Sequence, residues 1–122
     1  MDKTILVIED QDDLRLLIRL TLRQLGRVVA SADARAVAEL VAAERPDLVV
    51  LDVWLGGGIS GLDICRALKA ADPQGAPRVL MLSACGQQSD IEAGLAAGAD
   101  RYIVKPFSPE GLVQAAASLL AD

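Results

Sequence analysis

The sequence contains no histidine. That absence removes the Ser-His-Asp triad, the Cys-His pair and the usual histidine-bearing zinc sites. Whatever chemistry remains must run on carboxylates, lysine and hydroxyls. Cysteine is almost as scarce: Cys65 and Cys85 are the only two, and their spacing fits no metal motif. Both read as reduced thiols of a cytoplasmic protein, with Cys65 in the core. Aromatic residues make up only 2% of the chain, against a hydrophobic share of 52%. The core must therefore be built from Ala, Val, Leu and Ile, a mix suited to packed α/β layers. An excess of positive charge is also missing. The net charge of −5 argues against direct nucleic-acid binding. No apolar run is long enough for a membrane span, and the N-terminus lacks a secretory pattern.

What is present alternates strand with helix. At 122 residues the chain is expected to form one domain, 1–122. "KTILVIED" is a buried strand near residues 4 to 9 that closes on acids. "DDLRLLIRLTLRQLG" changes period: Leu14, Leu17, Ile18, Thr21 and Leu25 share one helical face, Asp12 is the expected N-cap, and Gly26 ends the helix. "RVVAS" is a second strand, followed by a helix opened by Asp33 and closed before Pro46. "DLVVLDV" is a third strand, apolar almost throughout, as expected when both sheet faces are covered. Ser60 caps a third helix that stops at Pro73. "PRVLMLSA", a helix weakened by Gly94, "RYIV" and a last helix with Pro109 in its first turn complete the series. Five strands alternating with five helices predict right-handed βαβ units around a parallel sheet.

In open α/β sheets, functional groups gather at the carboxyl ends of the strands. Here those ends carry Glu9 and Asp10, then Asp52, then Ser83, then Lys105. Three converging acids repel one another unless a cation joins them. An oxygen-only donor set, without His or Cys, selects a hard ion, Mg²⁺ above all. Lys105 and Ser83 are placed for an anion's oxygens. A metal, a lysine and a hydroxyl around one aspartate describe a phosphoryl-transfer site with Asp52 as nucleophile. Asp12 and Asp13 read as helix-start residues rather than ligands.

The pieces "VIED", "DLVVLDV", "VLMLSA" and "AGADRYIVKPF", in this order on five βα units, resemble the receiver domain of a two-component response regulator from end to end. The resemblance implies a flavodoxin-like, doubly wound five-stranded parallel sheet of order 2-1-3-4-5 flanked by five helices. It implies that Asp52 is the phosphoacceptor, that Asp10 is a direct metal ligand and that Glu9 acts through water. The backbone carbonyl of Trp54 would be a further ligand. Ser83 and Tyr102 match the hydroxyl-aromatic switch pair, with Tyr102 turning inward as Ser83 moves to the phosphoryl group. Lys105 matches the phosphoryl-contacting lysine, joined to Pro106 by a cis bond. Trp54 and Cys85 fall where the family borders the phosphoryl group. A histidine kinase or histidine phosphotransfer protein is the implied donor, since this chain has no histidine. The implied readout is a downstream output domain or protein, reached through the surface at about residues 87 to 121, and phosphorylation-dependent dimerisation is left open.

One stretch departs from the family pattern. In "WLGGGIS", Gly56 stands where receivers usually have proline, and the later glycine, Gly61, comes one residue late. The expectation is a mobile loop that admits a partner's side chain. The main rival reading is a receiver-like docking scaffold that is not phosphorylated. A haloacid-dehalogenase-like phosphatase would want an acid at position 54, and a flavin binder would want phosphate donors where "EDQDD" stands.

Overall fold

The computed structural model describes residues 2–121. Five strands form one parallel sheet: β1 (Thr4–Ile8), β2 (Arg27–Ser31), β3 (Leu48–Leu51), β4 (Arg78–Ser83) and β5 (Arg101–Val104). Their spatial order is β2-β1-β3-β4-β5. Five helices alternate with them: α1 (Asp12–Leu22), α2 (Val37–Glu44), α3 (Gly61–Ala71), α4 (Gln88–Ala96) and α5 (Pro109–Leu120). This is the flavodoxin-like, doubly wound architecture. Its change of winding direction lies between β1 and β3.

The period of two within each strand divides the core. Leu6, Ile8, Val49, Leu51, Val79 and Met81 point to one face, where Ala34, Val37 and Cys65 cover them. Ile5, Val7, Leu48, Val50, Leu80 and Leu82 point to the other, under Ile18 and Leu22 of α1 and Leu112, Ala115 and Ala116 of α5. Alanine on α5 lets that helix sit close to the sheet, so a core with few aromatics still fills. Cys65 is fully buried, and burial pushes its thiol above the usual range.

Helix ends follow local chemistry, with some shifts from expectation. The Ser60 hydroxyl accepts from the Leu62 N–H, and Ser108 accepts from Gly111 at the start of α5. Asp12 is not the cap of α1. Gln11 holds that position with extended backbone and no side-chain bond, and Asp12 and Asp13 lie in the first turn, where their charge favours the helix dipole. Asp33 caps a short 3₁₀ turn (Ala34–Ala36) ahead of α2. Gly26 follows a 3₁₀ turn in extended backbone (φ 163°), and any side chain there would strike the Lys3 carbonyl. On α1, Leu17 is 45% exposed, contrary to the face assigned to it, and Leu22 is buried instead. Leu16 and Leu20 are also exposed; a helix apolar on several sides does not reveal its inner face by periodicity alone. Among the described residues no helix is long and apolar enough to cross a membrane.

Candidate functional site

The sheet register assembles the site. Ile8 pairs with Leu51, so Glu9 and Asp52 leave β1 and β3 side by side. Ser83 pairs with Val104, and the Lys105 N–H donates to the Ser83 carbonyl at 2.8 Å. The lysine side chain reaches back across the edge. Its Nζ donates to Asp52 Oδ2 at 2.8 Å and to Glu9 Oε1 at 3.2 Å. These side chains are only 18%, 14% and 4% exposed for Lys105, Asp52 and Glu9. Water therefore screens the ion pairs weakly.

The electrostatics follow. Burial raises the Glu9 carboxyl above its usual value, and the adjoining Asp10 carboxyl pushes the same way; the Gln11 N–H and the Lys105 charge only partly offset this. Burial works to lower Lys105, but its bonds to Asp52 and then Glu9 prevail and hold the ammonium above its ordinary value. The second oxygen of each acid is also occupied. Glu9 Oε2 accepts from the Gln11 N–H at 3.0 Å, and Asp52 Oδ1 accepts from the Trp54 N–H at 3.2 Å. Arg15 Nη1 fixes the Glu9 carbonyl at 3.0 Å; nothing in the sequence pattern singled this residue out.

Asp10 stays exposed beside this pair. Among the described residues no three His, Cys, Asp or Glu side chains close into a ready metal cage. The donor set nonetheless fits a hard cation. Glu9, Asp10 and Asp52 bring three negative charges against the one positive charge of Lys105, and Mg²⁺ needs only one or two carboxylates with water completing its shell.

The glycine-rich stretch forms a turn in the structure. Trp54–Leu55 and Ile59–Ser60 pair as a two-residue antiparallel hairpin. Gly57 and Gly58 take φ of 77° and 76°, where a side chain is disfavoured. Gly56 faces Asp10, and a Cβ there would stand 3.3 Å from the carboxylate, close enough that the acid would have to shift. Gly61 has the strictest demand, because a Cβ there would collide with the Asp52 carbonyl oxygen. The Trp54 indole is 66% exposed.

Ser83 is 1% exposed, and its Oγ accepts from the Cys85 N–H at 3.2 Å. The Tyr102 hydroxyl donates to the Cys85 carbonyl at 2.6 Å, and its ring packs on the core. Tyr102 thus points inward in the unmodified chain, whereas the sequence reading has it turning in only after Ser83 moves. The Lys105–Pro106 bond is cis, as expected.

A profile of the response regulator receiver domain matches residues 5–117. The phosphate regulon transcriptional regulatory protein PhoB of Rhizobium meliloti is 38% identical over 117 residues, which cover 95% of this chain and 51% of PhoB. The DNA-binding response regulator MtrA of Mycolicibacterium smegmatis is 41% identical over 118 residues, covering 93% and 48%. The chain thus spans about half the length of these curated relatives. Among solved structures, the BeF3-activated receiver domain of DrrB superposes with a TM-score of 0.88 at 33% identity over the whole of both chains. The BeF3-activated receiver domain of Klebsiella pneumoniae RstA gives 0.88 at 28% identity, covering 98% of this chain and all of the other. The chain belongs to the response regulator receiver domain family. It is a receiver domain of the two-component signalling type.

Proposed function

We propose that residues 1–122 form one receiver domain in which Asp52 accepts a phosphoryl group from a phosphohistidine on a kinase or phosphotransfer partner. The observation that supports this most directly is the Asp52 carboxylate held 2.8 Å from Lys105 Nζ at the carboxyl edge of the sheet, beside Glu9. An Asp52 oxygen attacks phosphorus; the P–O bond forms as the P–N bond breaks, and the electron pair returns to the partner's imidazole. Lys105 transfers its hydrogen bond from Asp52 to a phosphoryl oxygen, and the Ser83 hydroxyl donates to another once it leaves Cys85. Glu9, Asp10, Asp52 and the Trp54 carbonyl would hold Mg²⁺, which when bound offsets negative charge on the phosphoryl oxygens. The same groups would assist hydrolysis of the aspartyl phosphate.

The modification replaces the single carboxylate charge of Asp52 with the roughly two negative charges of a phosphoryl group beside Ser83 and Lys105. The readout passes through α4, β5 and α5, where Leu95 and Val104 are 48% and 38% exposed and free to meet an output domain or a second copy. The relatives' names, one a transcriptional regulator and one a DNA-binding response regulator, support an output domain in the same chain. A cytoplasmic location fits a kinase partner.

A docking scaffold is the second reading, favoured by Lys105 already pairing with both Glu9 and Asp52. One experiment separates the two. Treatment with a small acyl phosphate and Mg²⁺, followed by intact mass, is expected to add one phosphoryl group to the wild type and none to Asp52→Asn. Emission from Trp54, the only tryptophan, is expected to respond to Mg²⁺ alone. No adduct and no response leave only the scaffold.

A further inference from the structure

Glycine inside a helix is unfavourable relative to alanine, so a buried one asks for a reason. Gly94 lies in the interior of α4 and is buried. A Cβ built on it would stand 2.7 Å from Cδ2 and 2.8 Å from Cε2 of Tyr102. The edge of the ring therefore rests on bare helix backbone, in a space that any side chain at 94 would take. Two further contacts hold this arrangement. The Tyr102 hydroxyl is tied to the Cys85 carbonyl, and the Ser83 hydroxyl is tied to the N–H of the same residue. The peptide groups of Cys85 thereby tether both Tyr102 and Ser83. Consistent with a seated ring, burial raises the Tyr102 phenol above its usual value, against a smaller opposing effect of the Ser83 hydroxyl.

We propose that Gly94 is a positioning residue of the switch: its missing side chain seats Tyr102 inward in the unmodified chain, and the backbone of Cys85 links that ring to Ser83. The inference deepens the phosphoacceptor reading and takes its meaning from it. A phosphoryl group on Asp52 then has to draw only Ser83 away from Cys85, because the ring is already in place. The α4–β5 face is pre-formed, and phosphorylation loosens or tightens it through the Cys85 tether.

Tyr102 is the only tyrosine, so its state can be read without assignment. The full chain, carrying fluorotyrosine and free of Mg²⁺ and phosphodonor, is expected to give one ¹⁹F resonance with a small H₂O/D₂O isotope shift. In unlabelled protein the phenolate absorbance is expected to titrate above the ordinary value of about 10. Gly94→Ala is expected to raise the isotope shift to that of free fluorotyrosine and to return the titration to the ordinary value. A Gly94 that served the helix alone would give the opposite pattern: alanine would raise Tm and leave both tyrosine signals unmoved, which overturns the proposal. An exposed, normally titrating ring in the wild type also overturns it. If Gly94→Ala does not fold, Gly94→Ala with Tyr102→Ala decides. Recovery of folding confirms that the ring is what the methyl group strikes, and continued failure shows that the glycine serves something else. The same tyrosine results are expected in an Asp52→Asn chain. Loss of the phosphoacceptor reading would therefore leave them intact, and an insensitive ring would leave that reading intact.

Discussion

At the scale of single residues, the site is an ion cluster before it is anything else. Glu9 is 3% exposed, and Lys105 is its cationic partner. Removing one member of a poorly hydrated pair leaves a charge without compensation. Lys105→Met is therefore expected to lower unfolding free energy by about 2–4 kcal/mol in urea denaturation at neutral pH. Adding Glu9→Gln is expected to recover only part of that loss, because Asp52, the nearer partner of Lys105 at 2.8 Å, stays uncompensated. A single-mutant loss below about 0.5 kcal/mol would show the pair to be screened like a surface bridge. The carboxylates and the lysine were legible in the sequence because each follows the last residue of a strand, and parallel topology brings those ends to one edge. Arg15 was not legible, because its role is a bond to a backbone carbonyl that only the fold brings within reach.

At the scale of elements, the glycines separate into different physical roles. Gly57 and Gly58 serve backbone conformation, whereas Gly61 serves close approach. At the first position of α3, alanine would ordinarily strengthen the helix by up to about 1 kcal/mol. Here its methyl group would strike the Asp52 carbonyl and lie 2.9 Å from Leu51 Cδ1. Gly61→Ala is expected to lose about 1–3 kcal/mol on thermal unfolding. A neutral or stabilised variant would mean that the backbone after Asp52 yields. The stretch 54–60 closes as a short hairpin, a shape not readable beforehand, since three glycines signal permissive backbone without saying which turn uses it. Leu17 shows a related limit. With apolar residues on several sides of α1, the pattern fixed the helix but not its inward face.

At the scale of the molecule, the two ends of the sheet divide the work. The carboxyl end carries the cluster of Glu9, Asp52 and Lys105; at the amino end Asp100 fastens β5 to β4. Its carboxylate accepts from the Val79 N–H at 2.8 Å and pairs with Lys69 at 2.8 Å and Arg78 at 3.4 Å. Burial would raise the Asp100 carboxyl, but the bonds from Lys69 and Val79 prevail and hold it below its usual value. A depressed carboxyl contributes stability in full above its unfolded pKa of about 3.9, and that stability is lost as pH falls through the lower folded value. Asp100→Asn is accordingly expected to cost about 1.5–3 kcal/mol at pH 7, with the gap to wild type closing in acid below about pH 4. A gap that persists unchanged into strong acid would show the contribution to be packing rather than charge.

The sequence by itself determined the element order, the parallel sheet and which strand ends carry Glu9, Asp10, Asp52, Ser83 and Lys105, because periodicity and chain order are one-dimensional facts. Only the tertiary structure decided that Lys105 bridges Glu9 and Asp52, that Gly61 backs the Asp52 carbonyl and that Tyr102 already rests on Gly94. Each of these depends on distances between residues far apart in the chain, and such distances are set by packing and register rather than by local pattern.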